Sequence, residues 1–181
     1  MKVVFLDRDG VINSEVHYLH KIADFEYTYK CVDALTRIRS AGYQVIIITN
    51  QAGIAKGIFG KSDYDELTKF YTDDLSNHGI DILDIFYCPH HIDGTVLEYK
   101  LDCVCRKPKP GMLTKAIAKY SVDVTKSFFV GDKLSDIEAA RAANIGSPVL
   151  VESGHKLDPS VLNVVPNYKN LYDFSLQLGA G

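Results

Sequence analysis

Four consecutive large apolar residues, Val3-Val4-Phe5-Leu6, open the chain and stop abruptly at Asp7-Arg8-Asp9-Gly10. An uninterrupted apolar run of this kind predicts a strand buried on both faces. The pattern recurs. Tyr43 to Ile48, Ile82 to Tyr87, Ser127 to Val130 and Pro148 to Val151 are further strand candidates. Between them the apolar residues return at helical spacing, as at Val32, Leu35 and Ile38 within Cys31 to Ser40, a stretch that Gly42 closes. Ser62 with Asp65 reads as a capping box opening a helix to about His78, Pro110 as the first-turn proline of a helix through Tyr120, and Ser135 with Glu138 as the start of a third, closing near Gly146. Residues 13 to 28, 51 to 61 and 92 to 110 read as loops, and beyond about residue 155 one edge element and a short helix from Asn170 are expected. Strands that alternate with helices, and that are apolar throughout, predict an α/β fold: a parallel sheet covered on both faces, three layers in one domain spanning residues 1–181.

Composition adds little to this picture and removes much. The 181 residues, 46% hydrophobic and 24% charged with a net charge of −3, are those of an ordinary soluble protein and long enough to bury a core without disulfides. No basic patch points to nucleic acid. No apolar stretch approaches the ~20 residues that cross a bilayer, and the N-terminus lacks a signal-peptide pattern. A cytoplasmic monomer acting on a small molecule is the expectation. Its four cysteines are then expected to be reduced.

The chemistry is read from how the strands end. Asp7 and Asp9 follow the first, Thr49 and Asn50 the second, and Asp132 and Lys133 the fourth, while Lys107 directly precedes a helix. In a parallel sheet these carboxyl ends face one crevice. The set suits phosphoryl transfer: Asp7 as nucleophile forming an aspartyl-phosphate, Asp9 as general acid and then base, and Thr49, Asn50 and Lys107 as donors to the phosphoryl oxygens. Carboxylates alone would repel a phosphate dianion, so a hard cation is implied. Asp7, Asp132 and the main-chain carbonyl of Asp9 offer oxygen-only ligands for Mg²⁺. Arg8, between the two aspartates, is expected to point to the other side of the extended chain.

Three cysteines, Cys88, Cys103 and Cys105, cluster with the pair His90-His91, and Cys31 stands apart in a helix. Three thiolates and an imidazole form a closed tetrahedral set for structural Zn²⁺, although one-residue spacings are tighter than usual and leave unligated thiols as the alternative. Spacing does not choose between His90 and His91.

Asp7-x-Asp9, Thr49, Lys107 and Gly131-Asp132-x3-Asp136 resemble the four motifs of the haloacid dehalogenase (HAD) superfamily phosphatases. Within that superfamily the stretches FLDRDGVIN, TNQAGIAKG, CPHH, CRKPKPGML and VGDKLSD resemble the heptose-bisphosphate phosphatases of the histidinol-phosphatase-like subfamily, over residues 3 to 155. The resemblance implies a Rossmann-like sheet, Mg²⁺ dependence, removal of the C7 phosphate on the route to ADP-heptose and lipopolysaccharide, and zinc held by Cys88, His90, Cys103 and Cys105. It also implies substrate contacts from Glu15, Val16, His17 and Tyr18, from Thr49, Asn50, Gln51 and Ala52, and from Arg106, Lys107 and Lys133. Ala52 and Ile92 depart from the family, which often has serine and proline there. No insertion is long enough for a cap domain, so an open crevice is expected, with specificity carried by loops that include the zinc loop at about 88–105. The rival readings are a histidinol-phosphatase, a phospho-accepting receiver-like domain and a zinc-stabilised binding module.

Overall fold

Among the described residues, six strands form a sheet in the order β3-β2-β1-β4-β5-β6, all pairings parallel. They are β1 Val3–Leu6, β2 Gln44–Asn50, β3 Asp84–Cys88, β4 Phe128–Gly131, β5 Ser147–Val151 and β6 Asn167–Tyr168. The helices are α1 Cys31–Ser40, α2 Ala52–Ala55, α3 Lys61–Asn77, α4 Gly111–Tyr120, α5 Leu134–Ala142 and α6 Leu171–Ser175. This computed structural model describes residues 1–154 and 165–179. The expected edge element and final helix are β6 and α6, and the rest of the stretch just beyond residue 155 lies outside the described residues.

β1 sits at the centre because none of its side chains tolerates water on either face; all four are fully buried. Strand alternation divides them. Val4 and Leu6, with Val45 and Ile47 of β2, pack against Leu35 and Ile38 of α1, Leu67 and Tyr71 of α3 and Phe174 of α6. Val3 and Phe5, with Ile46 and Ile48, pack against Met112, Leu113 and Ala116 of α4 and Ala139 and Ala140 of α5. Each such side chain contributes roughly 1.5–3 kcal/mol by leaving water. The three-layer expectation is met.

Element edges differ from the sequence reading in ways that matter to the site. β2 extends past Ile48 because Thr49 and Asn50 remain paired with Tyr87 and Cys88 of β3, so these polar residues are held by the sheet. α3 begins two residues early: Gly60, not Ser62, is the N-cap, and Asp63, not Asp65, takes its N–H at 2.7 Å, while Asp65 pairs with Lys61. α5 is likewise capped by Asp136, which takes the Lys133 N–H at 3.0 Å, and not by Ser135 with Glu138. Pro110 lies just before α4, and the helix opens on Gly111, where a Cβ would stand 2.3 Å from the Val104 carbonyl oxygen. α2 falls in a stretch expected to be loop; four residues are too few to show helical periodicity.

The order reverses at β1: β2 and β3 lie on one side, β4 to β6 on the other. The loops leaving the ends of β1 and β4 therefore part, and a crevice opens between them.

Candidate active site

Asp7 follows the last residue of β1, and its N–H is still held by the Val130 carbonyl of β4 at 3.0 Å. Its Oδ1 accepts from the Arg8 N–H at 2.8 Å and faces the Lys107 Nζ at 3.0 Å. Lys107 is almost wholly buried, reaching Asp136 Oδ1 at 2.7 Å and donating to the Ile48 carbonyl at 2.9 Å. Burial alone would neutralise the amine, but Asp136 and Asp7 outweigh it and hold the ammonium above its ordinary range. Asn50 fixes this lysine from behind: its Nδ2 donates to the Lys107 carbonyl and its Oδ1 accepts the Lys107 N–H, each at 3.1 Å. The Asn50 side chain thus grips protein main chain, whereas the resemblance assigned it to substrate.

Asp132 follows β4, and its Oδ2 accepts from the Ser153 hydroxyl at 2.7 Å. Glycine is required on both sides of these carboxylates. Gly10 has φ +83° and a Cβ there would lie 2.4 Å from Asp132 Oδ2; at Gly131 a Cβ would lie 2.3 Å from Asp136 Cβ. Asp136 is the member that the sequence reading quoted in a motif but did not place in the site. Its Oδ2 accepts the N–H groups of Asp132 and Lys133 at 3.1 and 3.0 Å.

Oxygens of Asp7, Asp132 and Asp136 lie within 4.8 Å of one another, all buried. Burial, opposed by Lys107 and reinforced by Asp136, Asp132 and Asp9, raises the Asp7 carboxyl to about 8. Burial and then Asp136 raise Asp132 to about 6. One lysine does not balance three clustered carboxylates, and oxygen-only donors suit a hard divalent cation such as Mg²⁺, which would keep both groups ionised. With Asp136 engaged by Lys107 and two main-chain N–H groups, Asp7 and Asp132 are the side chains fit to hold it.

Asp9 lies apart from that trio and is held by five hydrogen bonds. Arg8 supplies three, Nε to Oδ1 at 3.2 Å and Nη2 to Oδ1 and Oδ2 at 2.9 and 3.0 Å; Asn13 Nδ2 and Gln51 Nε2 add one each, at 3.0 and 3.1 Å. The expectation that Arg8 points away is overturned. Alternation governs only extended strand, and β1 ends at Leu6.

The crevice is an open cavity of about 460 Å³. Asp7, Asp9 and Lys107 line it, and so do Glu15, His17, Tyr18, Asn50, Gln51, Ala52, Arg106 and Lys133. Val16 does not; it is 39% exposed, and its carbonyl accepts the Leu19 N–H. Nor does Thr49, whose buried hydroxyl accepts from Gln51 Nε2 at 2.8 Å. Lys133 and Glu15 are joined at 2.9 Å across the cavity wall. Lys56 also lines the crevice, donating to Tyr18 Oη at 2.8 Å, and was missed because a single lysine in a glycine-rich loop carries no motif.

The cysteine cluster closes as one group. Sγ atoms of Cys88, Cys103 and Cys105 lie 3.0 to 3.4 Å apart, and His90 Nδ1 is 3.6 Å from Cys88 and 3.3 Å from Cys105. His91 is turned elsewhere, its Nδ1 accepting the Asp93 N–H. Burial raises the Cys88 thiol, whereas Cys103, against its own burial, is drawn down to about 6 by hydrogen bonds from Cys105, the Arg106 N–H and Cys88. Four soft donors, one of them drawn toward thiolate, fit tetrahedral Zn²⁺. The Arg106 N–H on Cys103 Sγ, at 3.3 Å, links the cluster directly to Lys107.

A family model described as polynucleotide kinase 3 phosphatase matches residues 2–151. The chain is 54% identical to D-glycero-alpha-D-manno-heptose-1,7-bisphosphate 7-phosphatase of Photorhabdus laumondii, over 97% of this chain and 95% of that protein. It is 46% identical to the beta-heptose bisphosphate phosphatase of the same bacterium, over 83% and 80%. Among solved structures, the D,D-heptose 1,7-bisphosphate phosphatase of B. bronchiseptica in complex with magnesium and phosphate superposes with a TM-score of 0.80 at 30% identity, covering 98% of each chain.

Proposed function

The chain belongs to the family of D-glycero-D-manno-heptose-1,7-bisphosphate 7-phosphatases, and from that membership we propose how its crevice removes the C7 phosphate. It is a phosphoric monoester hydrolase of the HAD type that acts on a heptose bisphosphate. An Asp7 carboxylate oxygen attacks phosphorus as the P–O bond to C7 breaks, and Asp9 hands its proton to the departing oxygen. Asp9, now a carboxylate, then takes a proton from the water that cleaves the aspartyl-phosphate. Lys107 meets the phosphoryl oxygens beside Asp7, while the buried Thr49 hydroxyl acts one step away, by holding Gln51 Nε2. Asp7, Asp132 and the Asp9 carbonyl would hold Mg²⁺, which would supply positive charge to offset that of the phosphoryl group. Cys88, His90, Cys103 and Cys105 would hold Zn²⁺, which would fix the loop that carries Arg106 and Lys107.

The observation that carries this reading is the meeting of Asp7, Lys107, Asp132 and Asp136, from three separate stretches of chain, at the switch point of the sheet. Greater identity over a longer span to the alpha-specific than to the beta-specific enzyme of one bacterium supports the alpha anomer as substrate. Placement in ADP-heptose synthesis, a cytoplasmic location and a single-domain monomer complete the proposal. No helix among the described residues is long and apolar enough to cross a membrane.

Phosphate release should be compared on both anomers of the bisphosphate and on histidinol phosphate, with Mg²⁺ present. The alpha anomer is expected to give the highest kcat/KM. Faster turnover of histidinol phosphate would overturn the substrate assignment, and undiminished turnover by Asp9→Asn would overturn the mechanism.

A further inference from the structure

Arg8 stands between the two catalytic aspartates and has no part in the chemistry above. Its side chain is 1% exposed while that of Asp9 is 17% exposed, so the anchored end of the pair is buried and the carboxylate edges into the crevice. Desolvating a guanidinium is expensive unless it is paired with good geometry. Here the fork closes on one carboxylate, with Nη2 also donating to the Leu19 carbonyl at 3.3 Å. The backbone keeps it there: the Arg8 carbonyl accepts the N–H groups of Ile12 and Asn13 at 2.8 and 3.2 Å, so the chain turns sharply after the aspartates. The guanidinium charge also partly offsets the burial that raises the Tyr64 and Tyr71 phenols of α3.

A proton donor must stand at one place relative to a leaving oxygen, and later relative to water. A lone aspartate at the mouth of an open cavity has freedom about both side-chain torsions. A bidentate buried arginine removes it. We propose that Arg8 is a positioning residue for Asp9, its fork fixing the carboxylate in the orientation from which it gives a proton to the departing C7 oxygen and then takes one from the attacking water. The inference rests on Asp9 being the acid/base.

That role has a kinetic signature that mere structural support lacks. An alkoxide leaving group needs the proton; p-nitrophenolate does not. With Arg8→Met, p-nitrophenyl phosphate should still phosphorylate Asp7, giving a rapid release of about one p-nitrophenolate per active site, followed by slow turnover because water activation is impaired. On heptose bisphosphate the same variant should show no burst and a kcat lowered by about 10²-fold, within the range for general acid–base catalysis, with KM nearly unchanged. Arg8→Lys, which keeps charge but not the fork, should fold and fall in between. Added to Asp9→Asn, Arg8→Met should cost little more. Equal losses in burst and steady state, equal losses on the two substrates, or an Arg8→Lys enzyme as fast as the parent would overturn the proposal. If Asp9→Asn itself leaves both substrates unaffected, the acid/base assignment has failed instead.

Discussion

Asp136 holds more of the site than its place four residues beyond Asp132 announces. One oxygen orients Lys107, and the other accepts the N–H groups of Asp132 and Lys133 between β4 and α5, so it ties the phosphate-binding lysine to the end of β4. Asp136→Asn can keep the main-chain bonds but leaves a buried ammonium short of an anion. Breaking a buried pair costs about 3–5 kcal/mol, and the thermal midpoint should fall by roughly 10 °C with kcat down by at least tenfold; a midpoint within error of the parent would show that Asp7 alone satisfies Lys107. Lys56 makes a different prediction. It has no ion-pair partner among the described residues, and with Arg106 it lines the crevice. Lys56→Ala should raise KM for the bisphosphate roughly tenfold, the worth of one charge-assisted hydrogen bond, with kcat little changed. A heptose 7-monophosphate should show no such rise, and an equal rise on both would remove Lys56 from contact with the second phosphate. The aspartate pair, Thr49 and Asp132 stood out in the sequence because each follows an apolar run, and Lys107 because it directly precedes a helix. Arg8 and Gln51 were not read as partners of Asp9, because the fold that turns them onto it begins where strand alternation ends.

Among the elements, the zinc loop between β3 and α4 is the one that sequence chemistry described well and periodicity could not. Its four donors were readable, and the choice of His90 over His91 is now one of geometry, with His91 bound to its own loop. What the loop does is place Arg106 and Lys107: Cys103 takes the Arg106 N–H, and Asn50 clamps the next peptide. Zinc analysis should find about one ion per chain, and Cys105→Ser should lose it. Activity should then fall by at least tenfold while far-UV circular dichroism stays close to the parent, because the sheet is assembled by β1, β2 and β4 and not by the loop. Full activity without zinc would separate the clip from the site. The capping errors have a physical origin. A run such as Lys61-Ser62-Asp63-Tyr64-Asp65 offers several side chains able to take an N–H, and only the entry path of the chain decides among them.

At the scale of the whole molecule, the layer of α1, α3 and α6 buries two groups in neutral form: Cys31, whose thiol burial pushes up to about 12, and Tyr71, likewise raised by burial to about 12. Both raised values carry the same sign for stability. Groups held protonated by the fold contribute fully below their unfolded values, 9.0 for the thiol and 10.0 for the phenol, and that contribution is lost as pH climbs toward 12. Lys107, held above 10.5 by its two carboxylates, adds to the loss in the same direction. The chain is therefore expected to unfold in alkali, with the midpoint of thermal unfolding falling from about pH 9 upward. Of Cys31, Tyr71 and Lys107, Cys31 titrates first in the unfolded chain, so Cys31→Ala isolates it. The variant should start with a lower midpoint, having lost a buried sulfur, but should decline less steeply between about pH 9 and 10 than the parent. With no tryptophan and 11 tyrosines in the chain, circular dichroism or tyrosinate absorbance follows the transition. Parallel declines in the two proteins over that interval would mean that the Cys31 thiol ionises as easily folded as unfolded, and that the α1 face is open to solvent.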